Sequence, residues 1–236
     1  MKILVFSQYF YPENFRINAL CQELVRRGHA VTVVTGYPQY PLGRLYDGYG
    51  FDIPYETSWN GVTIHRVKVH PRGKGLAGML RNTMDYVVEA EKWVKNCRER
   101  FDAVYVFEVS PVTVGLPAAA YKKKFHVPMF FNLQDLWPEN VEEVLGIRFA
   151  PVTWCINRIV DRIYTASDKI LCASQGFTQN LRSRGVAPQK LVYWPQFCPD
   201  VRLEGARRPE IYPEDTFNIV FAGNLGDAQG LDLMVE

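Results

Sequence analysis

The stretch from Asp102 to Glu139 reads DAVYVFEVSPVTVGLPAAAYKKKFHVPMFFNLQDLWPE. It holds two short apolar runs rich in β-forming residues, Ala103 to Phe107 and Met129 to Phe131, with a helical segment between them. Runs of the same kind recur along the chain, at Ile3 to Phe6, Val31 to Thr35, Val62 to Val69, Ile170 to Cys172 and Leu191 to Tyr193. This alternation is typical of βαβ units and predicts an α/β fold with a doubly wound parallel sheet.

Two of the connecting helices are clear from their apolar stripes. The stripe of the first consists of Ile17, Leu20, Cys21, Leu24 and Val25. Arg26-Arg27 and then Gly28 provide a basic last turn and a C-terminal stop. The second runs from Pro151 towards Ser167, with Ile156, Ile159, Val160 and Ile163 on one face.

Composition limits the class of protein. The 236 residues are 47% hydrophobic and have a formal net charge of +2, which argues against disorder and against a nucleic-acid partner. The five cysteines show no C-x-x-C spacing, and Cys21, Cys155 and Cys172 are predicted to be reduced core thiols. No signal peptide and no apolar run of ~20 residues is present, so a cytoplasmic protein is predicted.

The pattern of strands and helices is interrupted after Cys198. We predict one domain over residues 1–198, a Pro-rich linker over 199–216, and the truncated start of a second domain over 217–236. That second part reads as a strand, Asn218 to Ala222, then a glycine-containing loop, then the start of a helix around Leu231. Since one βα fragment cannot bury its own apolar face, a further domain is expected to be missing.

Polar groups follow the predicted strands, where open α/β sheets bind ligands. The turn after the first strand lacks the glycines of a dinucleotide site, which disfavours a dehydrogenase. Arg16 could join the positive end of the first helix in holding an anion, or be an ordinary exposed arginine. Glu108 and Asp135 follow the two strands of the opening stretch. Asp135 is either a functional carboxylate or a solvated loop acid.

The order and spacing of several stretches resemble glycosyltransferase family 4, particularly a branch of bacterial surface-polysaccharide enzymes related to N-acetyl-fucosamine transferases. The matching stretches span the whole chain and include YFYPENFRIN from Tyr9, RGHAVTV from Arg27, TGYPQYP from Thr35, DLWPE from Asp135 and FAGNLGDAQG from Phe221. Their order and spacing together are highly specific. Glu13-Asn14-Phe15-Arg16 departs from the Gly-Gly pair that many relatives have there.

This resemblance implies the N-terminal, acceptor-side Rossmann-like half of a two-domain GT-B enzyme that transfers a sugar, with retention, from a nucleotide sugar to a lipid-linked or saccharide acceptor. It implies a catalytic Asp135 and a donor-phosphate loop with Gly223, Asn224 and Gly226. The implied substrate-binding residues are Glu13, Asn14, Phe15, Arg16, Glu108, Gln134, Trp137 and Glu139. The family's second-domain acidic pair is expected beyond Glu236, so the chain alone is predicted to be inactive.

Cleavage of a sugar–diphosphate bond requires groups that stabilise positive charge on the ring and negative charge on the leaving phosphate. Helix ends and basic side chains can stabilise the negative charge of the leaving phosphate without a divalent cation. The sequence has no Asp-x-Asp and no His/Cys cluster, so we predict no metal and no cofactor besides the nucleotide-sugar substrate.

The segment from Arg66 to Met84 has no acidic residue and alternates basic with apolar side chains. Arg72, Lys74 and Arg81 are predicted to attract an anionic membrane surface, on the cytoplasmic face of the inner membrane. The alternative is a polar loop followed by an ordinary core-facing helix. Two other functions stay open: a non-catalytic acceptor-binding or membrane-recruiting subunit, and a sugar-nucleotide epimerase of the same architecture.

Overall fold

In the computed structural model, the described residues are 1–53, 57–73, 75–139, 149–197, 215–223 and Leu231. The strands are β1 (Lys2–Phe6), β2 (Ala30–Thr35), β3 (Ser58–Trp59), β4 (Val62–Arg66), β5 (Ala103–Glu108), β6 (Met129–Leu133), β7 (Lys169–Cys172) and β8 (Leu191–Tyr193). The helices are α1 (Arg16–Arg26), α2 (Leu76–Asn96), α3 (Gly115–Phe125), α4 (Ala150–Ala166) and α5 (Gln175–Ser183). Short 3-10 turns cover Val112–Val114 and Pro188–Lys190.

The eight strands form one sheet in the order β3-β4-β2-β1-β5-β6-β7-β8. All neighbouring pairs are parallel except β3 with β4. Alternate side chains of β1 enter different cores: Leu4 and Phe6 pack with residues of α2, α3 and α4, whereas Val5 packs with residues of α1. The predicted doubly wound, Rossmann-like α/β fold is confirmed.

Some boundaries differ from those predicted. The strand expected over Val62 to Val69 ends at Arg66, because its neighbour β2 ends at Thr35, the residue paired with Arg66. Cys155 is exposed, whereas Cys21 and Cys172 are buried as predicted. The error arose because the buried face of α4 is formed by Val160, Ile163 and Tyr164, and Cys155 lies outside it.

The chain divides into two compact units, Met1–Gln196 and Phe197–Glu236. The predicted strand from Asn218 to Ala222 is wrong: residues 217–222 have no regular secondary structure, and Phe217 is 92% exposed. A strand requires a partner for its backbone groups, and the described residues of this unit provide none. The predicted linker lies largely outside the described residues, as do Asn224 and Gly226, so the proposed boundaries stay predictions.

Candidate active site

The strand order reverses beside β1. The chain passes from β1 to β2 on one side, whereas β5 and the strands after it extend on the other. In open α/β sheets, ligands bind outside the carboxyl ends of the strands at such a switch point. A small pocket lies there, lined by Ser7, Gln8, Tyr9, Phe15, Phe107, Val109 and Val114.

Glu13 joins two loops at this edge of the sheet. Its Oε1 accepts hydrogen bonds from the backbone N–H groups of Gln39 and Tyr40 at 2.8 and 2.7 Å, and its Oε2 accepts one from Phe10 at 3.3 Å. Only 1% of the residue is exposed. Burial raises the pKa of this carboxyl to about 7, and the three N–H donors and Arg66 oppose the rise. The geometry therefore gives Glu13 a loop-positioning role, and its predicted contact with substrate stays a prediction.

Arg66 makes a second connection between the same loops. Its guanidinium donates to the carbonyl oxygens of Gly36 at 3.0 Å and Tyr11 at 2.7 Å, and it lies 5.3 Å from the centre of the Tyr49 ring. The residue is 7% exposed. Arg66 thus belongs to the interior of the site, which excludes it from the basic segment predicted to face lipid.

Three aromatic side chains form a cluster next to the pocket. Phe15 stacks on Tyr9 with a centroid separation of 5.2 Å, and Tyr40 lies 5.3 and 5.7 Å from these two rings. Burial raises the pKa of the Tyr9 hydroxyl to about 12, and the positive charge of Arg72 opposes the rise. The charge of Arg72 therefore acts on the aromatic cluster. Sequence analysis had connected Arg72 only with the membrane.

Asn14 and Arg16 are exposed at the start of α1. Within the described part of the chain, the Arg16 guanidinium has no hydrogen bond or ion pair. It is therefore available to an anion arriving at the positive end of α1. Its predicted binding of an anion stays a prediction.

Glu108, the last residue of β5, supports the loop after β6. Its Oε2 accepts hydrogen bonds from the backbone N–H groups of Gln134 and Asp135, both at 3.0 Å. The side chain is fully buried. Burial and then the negative charge of Asp135 raise the pKa of Glu108 to about 8, while those two N–H groups and the Trp137 indole oppose the rise. These bonds give Glu108 a positioning role for the loop, and its predicted contact with substrate stays a prediction.

Asp135 lies half-buried at the same edge. Its Oδ2 accepts hydrogen bonds from the backbone N–H of Ser110 at 3.1 Å and from the Ser110 hydroxyl at 2.7 Å. Next to it, the Gln134 amide donates to Asn132 at 2.8 Å and accepts from Gln196. The site therefore presents one oriented carboxylate and one amide, while the buried Glu108 lies behind them.

The two remaining substrate-binding candidates interact with α5 and the residues just after it. Glu139 accepts a hydrogen bond from Asn180 at 3.0 Å and lies 3.9 Å from the Arg184 guanidinium. The same guanidinium donates to the Trp137 carbonyl at 3.3 Å. Their predicted contact with substrate is untested.

Gly223, Arg72 and Arg81 are exposed, and Lys74 lies outside the described residues. Gly223 belongs to the second unit, and its part in holding donor phosphate stays a prediction. Across the described ranges, no group of three or more His, Cys, Asp or Glu side chains is placed to hold a metal ion, and no helix is long and apolar enough to span a membrane. The prediction that no metal or cofactor is needed is untested.

Sequence analysis missed several residues of the site, including Ser110, Gln39 and Arg66. Ser110 could have been found, because it follows Glu108 at the end of a predicted strand. Gln39 and Arg66 could not, because they meet the first loop only through long-range contacts in the folded sheet.

A family model and known proteins match this chain. Residues 14–196 match the family model described as Glycosyl transferase 4-like domain. The "Putative colanic acid biosynthesis glycosyl transferase WcaI" of Escherichia coli (strain K12) is 22% identical over 259 residues. That alignment covers the whole of this chain and 62% of the relative.

Two solved structures are similar at 14% identity. One is described as a putative UDP-N-acetylglucosamine 2-epimerase from Listeria monocytogenes, with a TM-score of 0.50 over 80% of this chain and 44% of that one. The other is Anabaena Alr3699/HepE in complex with UDP and glucose, with a TM-score of 0.45 over 84% and 45% of the two chains. The family match, which covers most of the chain, shows that this protein belongs to the glycosyl transferase 4-like family.

Proposed function

We propose that the chain is the acceptor-side part of a retaining glycosyltransferase that moves a sugar from a nucleotide sugar to a lipid-linked or saccharide acceptor in surface-polysaccharide biosynthesis. Membership of the family supports transfer, and the name of the Escherichia coli relative supports the polysaccharide pathway. The single structural observation that carries the proposal is the oriented Asp135 carboxylate beside Gln134 at the carboxyl edge of the sheet.

The chemistry follows from the charges that develop during transfer. As the bond between sugar and diphosphate breaks, positive charge grows on the ring and negative charge on the leaving phosphate. Asp135, held by two donors from Ser110, is pre-oriented to stabilise the positive ring without rearranging. The exposed Arg16 at the start of α1 is the candidate partner for negative charge.

The buried Glu108 sets the geometry of this carboxylate. Because its Oε2 holds the backbone N–H groups of Gln134 and Asp135, it fixes the loop that carries both side chains. Its raised pKa favours the neutral form, which reduces repulsion between the two neighbouring carboxyl groups.

We further propose that transfer requires a nucleotide-sugar-binding part in addition to this chain, which spans 62% of the Escherichia coli relative. Catalysis depends on positioning donor and acceptor together, so the isolated chain should fold but not turn over. We propose that the enzyme acts in the cytoplasm, peripherally on the inner membrane, without a metal. The exposure of Arg72 and Arg81 is compatible with that location.

The test is transfer of radiolabelled sugar by the full-length enzyme from a panel of nucleotide sugars to polyprenyl-diphosphate-linked and soluble saccharide acceptors. NMR of the product should show the anomeric configuration of the donor. Acceptor binding without transfer would support the non-catalytic subunit instead, and interconversion of the nucleotide sugar without an acceptor would support an epimerase. Rapid turnover by the isolated chain would contradict the proposal that transfer requires a further, nucleotide-sugar-binding part.

A further inference from the structure

The outer side of α2 is apolar as well as its inner side. Its core-facing residues include the fully buried Tyr86 and Ala90. Four aliphatic residues at intervals of four are 43–54% exposed, namely Leu76, Leu80, Met84 and Val88. Because residues at that interval lie on one face of a helix, they form a continuous stripe, which we call the α2 stripe. The sequence-based alternative of an ordinary core-facing helix does not account for it.

A groove of about 730 Å³ begins where the stripe ends and lies between α2, α3 and α4. Its apolar lining includes Val88, the last residue of the stripe, and Ala120. Its basic lining includes Lys95 of α2, Lys123 of α3 and Arg162 of α4. The stripe and this basic groove therefore form one surface.

The positive charge of the basic groove is largely uncompensated. Within the described residues, the side chains of Lys95, Lys123 and Arg162 have no hydrogen bond or ion pair. Lys92, by contrast, is paired with Glu89 at 2.6 Å, and Lys124 donates to three backbone carbonyls. One acidic side chain, Glu91, lines the same groove.

The outer side of α4 continues this combination of basic and amphipathic groups. Trp154 is 64% exposed, and the Arg158 guanidinium lies 5.9 Å from the centre of its ring. Arg162, which lines the basic groove, follows Arg158 after four residues and so lies on the same face of α4. Tryptophan and arginine are both favoured where apolar and aqueous phases meet.

We propose that the surface formed by the α2 stripe and the basic groove docks on an anionic phospholipid bilayer. The aliphatic side chains of the stripe enter the boundary between headgroups and acyl chains, and Lys95, Lys123 and Arg162 bind lipid phosphates. The proposal rests on the peripheral membrane location proposed above. It assigns the contact to the α2 stripe and the basic groove, whereas sequence analysis assigned it to Arg72, Lys74 and Arg81 within the segment from Arg66 to Met84.

Vesicle flotation tests this surface with the whole chain and requires no turnover. The chain should bind vesicles containing phosphatidylglycerol, and binding to pure phosphatidylcholine vesicles should be at least tenfold weaker. Raising the salt from about 50 to about 500 mM should release most of the protein, because exposed charges are screened. Equal binding to the two kinds of vesicle, or none to either, would overturn the proposal.

Three double variants locate the contact. Lys123→Gln/Arg162→Gln should weaken binding to anionic vesicles about tenfold, since each basic residue near the surface contributes appreciably. Leu80→Gln/Met84→Gln should weaken it by a similar factor. The matched control, Arg26→Gln/Arg27→Gln, removes the same charge from the last residue of α1 and the residue after it. Because α1 packs in the other core, this control should change binding less than about twofold.

Three further outcomes complete the test. If the control weakened binding as much as the groove variant, net charge would explain the binding and the assigned surface would be wrong. If wild type sedimented as a dimer that Leu80→Gln/Met84→Gln dissociates, the stripe would be an interface between two copies. Transfer to a soluble acceptor should be unaltered by the groove variant, so the docking proposal and the proposed function can fail separately.

Discussion

The Ser110 hydroxyl donates a hydrogen bond of 2.7 Å to Oδ2 of Asp135 and so joins the end of β5 to the loop after β6. These residues are 25 positions apart in the chain and meet only because β5 and β6 are parallel neighbours. The bond gives the candidate catalytic carboxylate a defined direction at the carboxyl edge of the sheet.

Asp135→Asn in the full-length enzyme should lower turnover by ~10²-fold or more, because the amide keeps the shape of the side chain but not its charge. The melting temperature should stay within a few degrees of wild type, since the amide oxygen can still accept from Ser110. Turnover and melting are to be measured on one preparation. Wild-type turnover would show that Asp135 is structural.

Ser110→Ala separates orientation from charge at the same site. It removes the hydroxyl donor but keeps the backbone donor at 3.1 Å. We expect a smaller loss of turnover than for Asp135→Asn, of about tenfold, which is the lower end of the effect expected when one donor to a charged group is lost. A loss as large as that of Asp135→Asn would mean that Ser110 itself contacts the reacting groups.

The raised pKa of Glu108 predicts a stability that depends on pH. Its folded pKa of about 8 lies above the usual carboxyl value of 4.5, so between these values the folded state binds more protons than the unfolded state. The free energy of unfolding should therefore fall as pH rises from about 5 to about 8. Glu108→Gln, which resembles the protonated side chain, should reduce that slope in urea-unfolding measurements.

Glu13 contributes a similar trend, with a folded pKa of about 7. The double variant Glu13→Gln/Glu108→Gln should therefore have a flatter profile than Glu108→Gln alone. A Glu108→Gln profile as steep as that of wild type would refute the assignment of this proton to Glu108.

Glu13→Ala should destabilise the chain by about 2–5 kcal/mol, because three buried backbone N–H groups lose their acceptor. Asn14→Ala, at the exposed neighbouring position, is the matched control and should change stability by about 0.5 kcal/mol or less. Chemical unfolding of both variants at one pH measures the difference. Equal stabilities would mean that Glu13 is not what holds the loops.

Gly115→Ala tests the close packing of α3. An added Cβ would lie 2.7 Å from Ile163 Cγ2 and 2.9 Å from Phe131 Cε2, so either α3 or its neighbours must move. We expect a loss of about 1–3 kcal/mol. Gly176→Ala on α5 is the control: its Cβ would meet only Ser174 Oγ, at 3.6 Å, and a gain of up to about 1 kcal/mol is expected. Thermal unfolding that ranks the two variants in the reverse order would contradict this packing.

The sequence alone predicted every described strand of the main unit except the two-residue β3, and it identified helices α1 and α4, because their signals are local. Apolar runs such as Met129 to Phe131, and the stripe containing Ile17 and Cys21, can be interpreted without knowledge of distant residues. The resemblance to family 4 was also available at this stage, and the family match over residues 14–196 confirmed it. Both depend on the order of residues along the chain.

Tertiary structure decided which groups are exposed and which meet. Glu108 at the end of β5 and Glu13 in the loop after β1 lie at the carboxyl edge as predicted, but the folded sheet brings backbone N–H groups of other loops onto them and buries them. The α2 stripe could not be identified from periodicity, because α2 is apolar on two sides and only the position of α3 and the sheet determines which side is covered. Periodicity specifies the faces of an element, whereas burial depends on what packs against each face.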